Sequence, residues 1–130
     1  LAAAPWCTYL GALEREELQQ ELASTSIAVL PSLEDNCPMV ILEASAAGVA
    51  FAASRIGGIP DLIQHNKNGV LFDPRDAHDM RDKVRSLLVD SGLAGKLGKT
   101  AQQDALERFF PNVVARRHLC IYREVVEGRR

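Results

Sequence analysis

The stretch from Ala28 to Ser54, AVLPSLEDNCPMVILEASAAGVAFAAS, constrains the fold of this chain more than any other. Ile27–Leu30 is a short, β-branched apolar run of the length of a buried strand. Pro31 and Ser32 end it, and the polar loop Glu34-Asp35-Asn36-Cys37 follows. Pro38 stands where a first helical residue should, because a helix start has no use for the N–H that proline lacks. Met39, Val40, Leu42 and Glu43 carry the helix to a stop at Gly48, and Val49–Ala53 reads as the next strand. Strand, acidic loop, helix and strand in this order predict a crossover unit of a parallel sheet.

In such sheets ligands bind beyond the carboxyl ends of the strands, which is where the acidic loop falls. The start of the helix offers free backbone N–H groups and a positive dipole end, a combination that attracts phosphate. Glu43 follows Met39 by one turn and shares its helix face. A carboxylate there cannot bind the phosphate itself, but it can accept hydrogen bonds from sugar hydroxyls beside it. Asp35, in the loop, is a second acceptor-only group on the far side. An anion cradle flanked by two carboxylates suits a ligand that is phosphate in the middle and polyhydroxy at both ends. A nucleotide-sugar has that form.

The run PSLEDNCPMVILEASAAGVAFAASRIGGIPDLI resembles the donor-binding half of GT-B-fold retaining glycosyltransferases of the group 1, or family 4, type. That family carries two glutamates separated by seven residues, then a small-residue helix and a Gly-Gly-x-Pro-Glu turn. Glu43 matches the second glutamate, Ala44, Ala47 and Gly48 match the helix, and Gly57-Gly58-Ile59-Pro60-Asp61 matches the turn. The resemblance implies that Glu43 holds the ribose hydroxyls of the donor. It also implies that Asn36, Cys37, Pro38, Met39 and Val40 form the backbone cradle for sugar and diphosphate, with Asp35 and Glu43 as the catalytic pair. Asp35 and Asp61 depart from the family pattern, each standing where glutamate is usual and one methylene shorter. The expected substrate is a nucleoside diphosphate sugar, with no metal and no other cofactor.

The rest of the chain fits an α/β class, a partial Rossmann-like parallel sheet of about four strands flanked by helices, with a helical C-terminal end. Trp6–Leu10, ending at Gly11, is expected to be a strand, and Glu14, Glu16 and Glu17 open a helix whose Leu18 and Leu22 face the sheet. This helix is expected to be scaffold. Gly57 and Gly58 form a loop at a strand end, where they allow positive φ or a close backbone approach to a ligand, or make a tight turn without a ligand role. Arg55 in that loop is a phosphate clamp on one reading and a solvent-exposed side chain on the other. Asp61–Gln64 makes a short helix, His65 sits on a polar surface turn, and Val70-Leu71-Phe72 is the last strand. Asp76 and Asp79 cap an amphipathic helix, with Met80, Val84, Leu87 and Leu88 as its apolar stripe, that ends near Gly92. A second helix runs from Leu93 to Phe109 and Phe110, where Pro111 and Asn112 break it. The final segment, Val113 to Glu127, gathers Val114, Ile121, Tyr122 and Val125 on one side.

Composition excludes several classes. A chain of 130 residues that is 47% hydrophobic and 25% charged has the balance of one ordinary globular domain. Its formal net charge of −2 gives no basic field for nucleic acid. Cys7, Cys37 and Cys120 are widely spaced, odd in number and without metal-ligand spacing, so they read as free thiols in a reducing cytoplasm. Cys37 reads as a packed loop residue rather than a reactive thiol. His78 and His118 have no acidic or Cys partner at ligand spacing.

Residues 1–110 are thus expected to be a donor-binding segment without its first strands, and 111–130 a helix that crosses to an absent N-terminal acceptor domain. The resemblance places in the absent part a basic pair that neutralises the diphosphate. This chain is then one wall of a two-domain cleft and is inactive alone. The Arg116, Arg117, Arg123, Arg129 and Arg130 tail suggests a weak membrane-surface contact, with a solvated helix face as the simpler reading. The alternatives to a transferase are a degenerate, non-catalytic nucleotide-sugar-binding module and a relative of the sugar-nucleotide epimerases.

Overall fold

The computed structural model of the chain describes residues 4–128. Three strands form a parallel sheet in the order β1-β2-β3: β1 (Ile27–Leu30), β2 (Ala50–Ser54) and β3 (Val70–Phe72). Ile27 pairs with Ala50 and Leu30 with Ala53, while Ala52 pairs with Val70 and Ser54 with Phe72. β2 lies in the middle and all five of its residues are buried. That burial on both faces is why Ala50–Ser54 reads as a continuous run of small and apolar residues rather than an alternating one.

The described residues form six helices, of which the last follows α5 away from the sheet: α1 (Arg15–Ser24), α2 (Met39–Ala46), α3 (Ile59–Leu62), α4 (Ala77–Val89), α5 (Ser91–Phe109) and α6 (Pro111–Val126). Successive strand residues point to opposite faces, so β2 and β3 feed two cores. On one face Phe51, Ala53 and Leu71 pack with Leu22 of α1, Ile41 and Ala44 of α2, and Ile59 and Ile63. On the other, Ala50, Ala52, Val70 and Phe72 pack with Leu87 of α4 and with Ala94 and Leu97 of α5. The result is a helix–sheet–helix sandwich, the α/β class that the sequence predicts.

Trp6–Leu10 is not a strand, and the sheet among the described residues has three strands rather than about four. Trp6 is 87% and Tyr9 93% exposed. An apolar run becomes a strand only where a neighbouring strand takes up its N–H and C=O groups, and among the described residues none pairs with this segment.

Several local signals hold as read. The amide of Glu14 donates to the Glu17 carboxylate at 2.8 Å at the start of α1. The Asp76 carboxylate accepts from the amides of His78 and Asp79, at 2.8 and 3.2 Å, and caps α4. These bonds from the Asp79 and His78 backbone hold the Asp76 carboxyl below its ordinary pKa. α2 ends in a Schellman turn, with Gly48 at φ +77° and the amides of Gly48 and Val49 donating back to Ser45 and Ala44. Gln102 of α5 adds a bond from its Nε2 to the Ala46 carbonyl at 2.9 Å, joining the end of α2 to α5.

Several boundaries move: β2 runs from Ala50 to Ser54 rather than from Val49, α4 ends at Val89, and α5 begins at Ser91 rather than Leu93. Pro38 is the residue before the first helical one, extended at φ −69° and ψ 114°, and Met39 opens α2. α3 begins at Ile59, two residues earlier than Asp61, and stops at Leu62 because the Gln64 amide donates at 2.7 Å to the Asn68 side chain instead of extending the helix. Asn68 is buried and fully engaged: its Nδ2 donates to the Leu62 carbonyl and to Asp104 of α5. Arg108 pairs with the same Asp104 at 2.8 Å and donates to the Asp61 carbonyl at 2.7 Å. This network fastens α5 to the turn before β3.

α6 buries no residue fully; Ile121, Tyr122 and Val125, with Arg116, Arg117 and Arg123, are exposed. Arg129 and Arg130 lie outside the described residues. No helix of the described residues is long and apolar enough to cross a membrane.

Candidate donor site

The carboxyl ends of the three strands place three loops side by side: 31–38 after β1, 55–58 after β2 and 73–76 after β3. Ser54, fully buried, donates from its hydroxyl to the Leu30 carbonyl at 3.3 Å, and the Arg55 amide donates to the Phe72 carbonyl at 2.7 Å. These bonds tie the strand ends together just below the loops.

α2 starts from this rim. Its first backbone bond runs from the Ile41 amide to the Pro38 carbonyl at 3.1 Å, which leaves the amides of Met39 and Val40 ahead of it. Pro38 is buried, has no N–H to give, and spends its carbonyl on Ile41, so of the predicted amide cradle it can supply only the bend. Val40 turns its side chain to the core beside Ile41 and Ala44, so its amide alone is available at the rim. Cys37 is exposed rather than packed, as are Cys7 and Cys120, and all three are free thiols.

The two predicted carboxylates open on to different cavities. Asp35 lines a cleft of about 370 Å³ with Leu33, Glu34, Asn36, Ile56 and Gly57. Glu43 lines a larger, mainly apolar cavity of about 590 Å³ between α1, α2 and the end of α5, with Met39, Leu42 and Phe109 among its walls. The two predicted carboxylates thus stand on different walls, Asp35 with Glu34 in the small cleft and Glu43 in the larger apolar one. Arg15, the first residue of α1, lines the Glu43 cavity too. Sequence reading passes over it as scaffold, because nothing in its own segment indicates which helix it will face.

Gly57 and Gly58 make their close approach to protein rather than to a ligand. A Cβ on Gly57 would collide with the Asp35 carbonyl oxygen, and one on Gly58 with that of Asn36. Arg55 beside them is exposed. Asp61 is exposed as well and meets Arg108 through its backbone carbonyl.

His65 is half-buried, not a surface residue. Its Nδ1 accepts the Leu71 amide at 2.9 Å, which requires an unprotonated Nδ1. Burial is the largest influence lowering its pKa from 6.5, Lys83 and Arg55 add to it, and Asp79 opposes them. With the folded value depressed, the unfolded chain takes up the proton first as pH falls. Stability from this group is therefore full above about pH 6.5 and declines below it until the folded value is passed. Urea midpoints measured from pH 7.5 to 5 are expected to fall less steeply in His65→Asn, which keeps an acceptor but cannot titrate. Equal slopes would show that the imidazole does not carry the effect.

A parallel α/β sandwich with an open helix start at the strand ends and carboxylates on the walls of two clefts is a Rossmann-like arrangement. The chain belongs to the family described as glycosyl transferases group 1, whose model matches residues 4–104. It is 39% identical over 99 residues to sulfoquinovosyl transferase SQD2 of Arabidopsis thaliana, a match over 74% of this chain and 19% of that protein. Sucrose-phosphate synthase from Thermosynechococcus elongatus superposes with a TM-score of 0.83 at 26% identity, over 93% of this chain and 30% of that one. HepE from Anabaena, in complex with UDP-glucose, superposes with a TM-score of 0.68 at 25% identity, over 78% of this chain and 28% of that one. The chain spans 19–31% of the length of the relatives it matches. The fold is thus one part of the GT-B architecture.

Proposed function

We propose that this chain is the donor-binding segment of a longer, retaining glycosyltransferase that moves a sugar from a nucleoside diphosphate to an acceptor. The observation that carries the reading is the start of α2 at the strand ends, with Asp35 in one adjoining cleft and Glu43 in the other. In this reading the Met39 and Val40 amides and the helix dipole meet the diphosphate. Glu43 accepts from the ribose hydroxyls at the larger cavity, where apolar walls suit a base. Asp35 accepts from the sugar hydroxyls at the smaller one. Family membership and the likeness to HepE with UDP-glucose support a nucleotide-sugar as the ligand.

As the departing diphosphate gains charge, preorganised amides stabilise it without reorganising. Transfer further needs an acceptor site and cationic groups for the diphosphate, which we place in the part of the relatives that this chain does not span. Alone, the chain is expected to bind donor without turning it over. Calorimetric titration with UDP-glucose, GDP-mannose and ADP-glucose tests the reading. Saturable binding that favours one base supports it, and a folded chain that binds none of the three overturns it.

A further inference from the structure

Residues Leu33 to Cys37 carry the small cleft, yet among the described residues the one hydrogen bond that anchors them is from the Gly58 amide to the Asp35 carbonyl at 3.3 Å. The other anchor is contact. The backbone of Asp35 lies on Gly57 and that of Asn36 on Gly58, each so close that a Cβ cannot be accommodated. The two glycines differ in why they are glycine. Gly57 has φ +51°, a left-handed conformation that disfavours side chains by itself. Gly58 has φ −90° and ψ 3°, which ordinary residues adopt, so the approach of Asn36 is its one evident requirement. The platform beneath is rigid. The Ile56 carbonyl accepts the Ile59 amide at 3.1 Å, and Ile59 is completely buried in the core.

We propose that Gly57 and Gly58 are positioning residues that set the height of the Asp35-Asn36 loop and thereby place Asp35 against the sugar of the donor. This rests on the nucleotide-sugar reading above. Gly57 borders the cleft with backbone alone, and neither glycine has a side chain to offer the sugar; both act through the loop. Asp35 has a short side chain, so it has little slack to recover a position that its backbone loses. A shift there weakens the sugar contact and leaves the nucleotide contact at Glu43, in the other cavity, unchanged.

Gly58→Ala is the cleanest test, because alanine is at ease in that backbone conformation and only the Asn36 contact is disturbed. Gly57→Asn is the second variant, since asparagine tolerates the left-handed region and presents the same collision to Asp35. Gly95→Ala in α5, where a Cβ meets nothing within 4 Å, is the control. Each is titrated with UDP and UDP-glucose, GDP and GDP-mannose, and ADP and ADP-glucose, using whichever pair the unmodified chain binds. Cleavage after Glu34 by a glutamate-specific protease reports on the loop without any ligand.

Faster cleavage is expected in both glycine variants, with the preference for nucleotide-sugar over bare nucleotide falling by about tenfold and bare-nucleotide affinity unchanged. The control keeps the native preference and cleavage rate. An unchanged preference in a variant with a freed loop overturns the proposal and leaves the donor reading standing. A parallel loss of sugar-nucleotide and bare-nucleotide affinity overturns it too, by showing a general structural effect. Absence of any nucleotide binding by the unmodified chain removes the donor reading and the proposal with it.

Discussion

Glu43→Ala is expected to weaken nucleotide-sugar binding by about 10- to 100-fold and to leave the melting temperature of the chain nearly unchanged. The size follows from the loss of a charged acceptor for ribose hydroxyls, each such bond being worth roughly 1.5–3 kcal/mol. The small effect on stability follows from the structure. Glu43 is half-buried at the wall of an open cavity, and none of the described side-chain hydrogen bonds or ion pairs involves it. Alanine is also the better helix former in the middle of α2. Calorimetry and thermal melting on the same preparations separate the two outcomes. Equal affinity in the variant would remove the ribose role assigned to Glu43, whatever the chain binds elsewhere.

Phe72→Ala is expected to lower folding stability by about 3–5 kcal/mol. Phe72 is completely buried in the core formed by Val70, Leu87, Ala94 and Leu97, at the end of the three-residue strand β3. Its removal leaves a cavity under both α4 and α5, and a short strand offers few further contacts to close it. Domains of this size retain only about 5–15 kcal/mol in total, so the variant should melt roughly 10–25 °C lower. Circular dichroism on heating measures this directly. A loss below about 1 kcal/mol would show that α4 and α5 do not pack on β3 as described.

Much of the fold is legible in the sequence because the signals are local. The apolar run Ile27–Leu30, the helix after Pro38 and the stop at Gly48 each depend on residues within a turn or two of one another. The Asp76 cap is equally local, and so is the break at Pro111 that separates α5 from α6. The acidic loop at a strand end could likewise be placed from order alone, since a parallel crossover puts that loop at the ligand-binding rim.

Other features were not legible, because they depend on segments distant in the chain. Trp6–Leu10 has the composition of a strand but no partner among the described residues. His65 looks like a turn residue, yet the fold half-buries it and gives its Nδ1 the Leu71 amide. Asp35 and Glu43 are separated by seven residues in sequence and read as two sides of one cradle. What their spacing does not reveal is the cavity beside Glu43, formed by residues of α1, α2 and α5, with Arg15 on its wall.

By itself, then, the sequence determined the crossover unit, the helix that starts at the strand ends, and the acidic residues offered there. These follow from periodicity and backbone chemistry over a few residues. Only the tertiary structure decided that the Asp35 loop rests on Gly57 and Gly58, and that the two carboxylates open on to different clefts. Those facts depend on contacts between segments distant in the chain, whose approach is set by how two cores fill rather than by any one segment's own preferences.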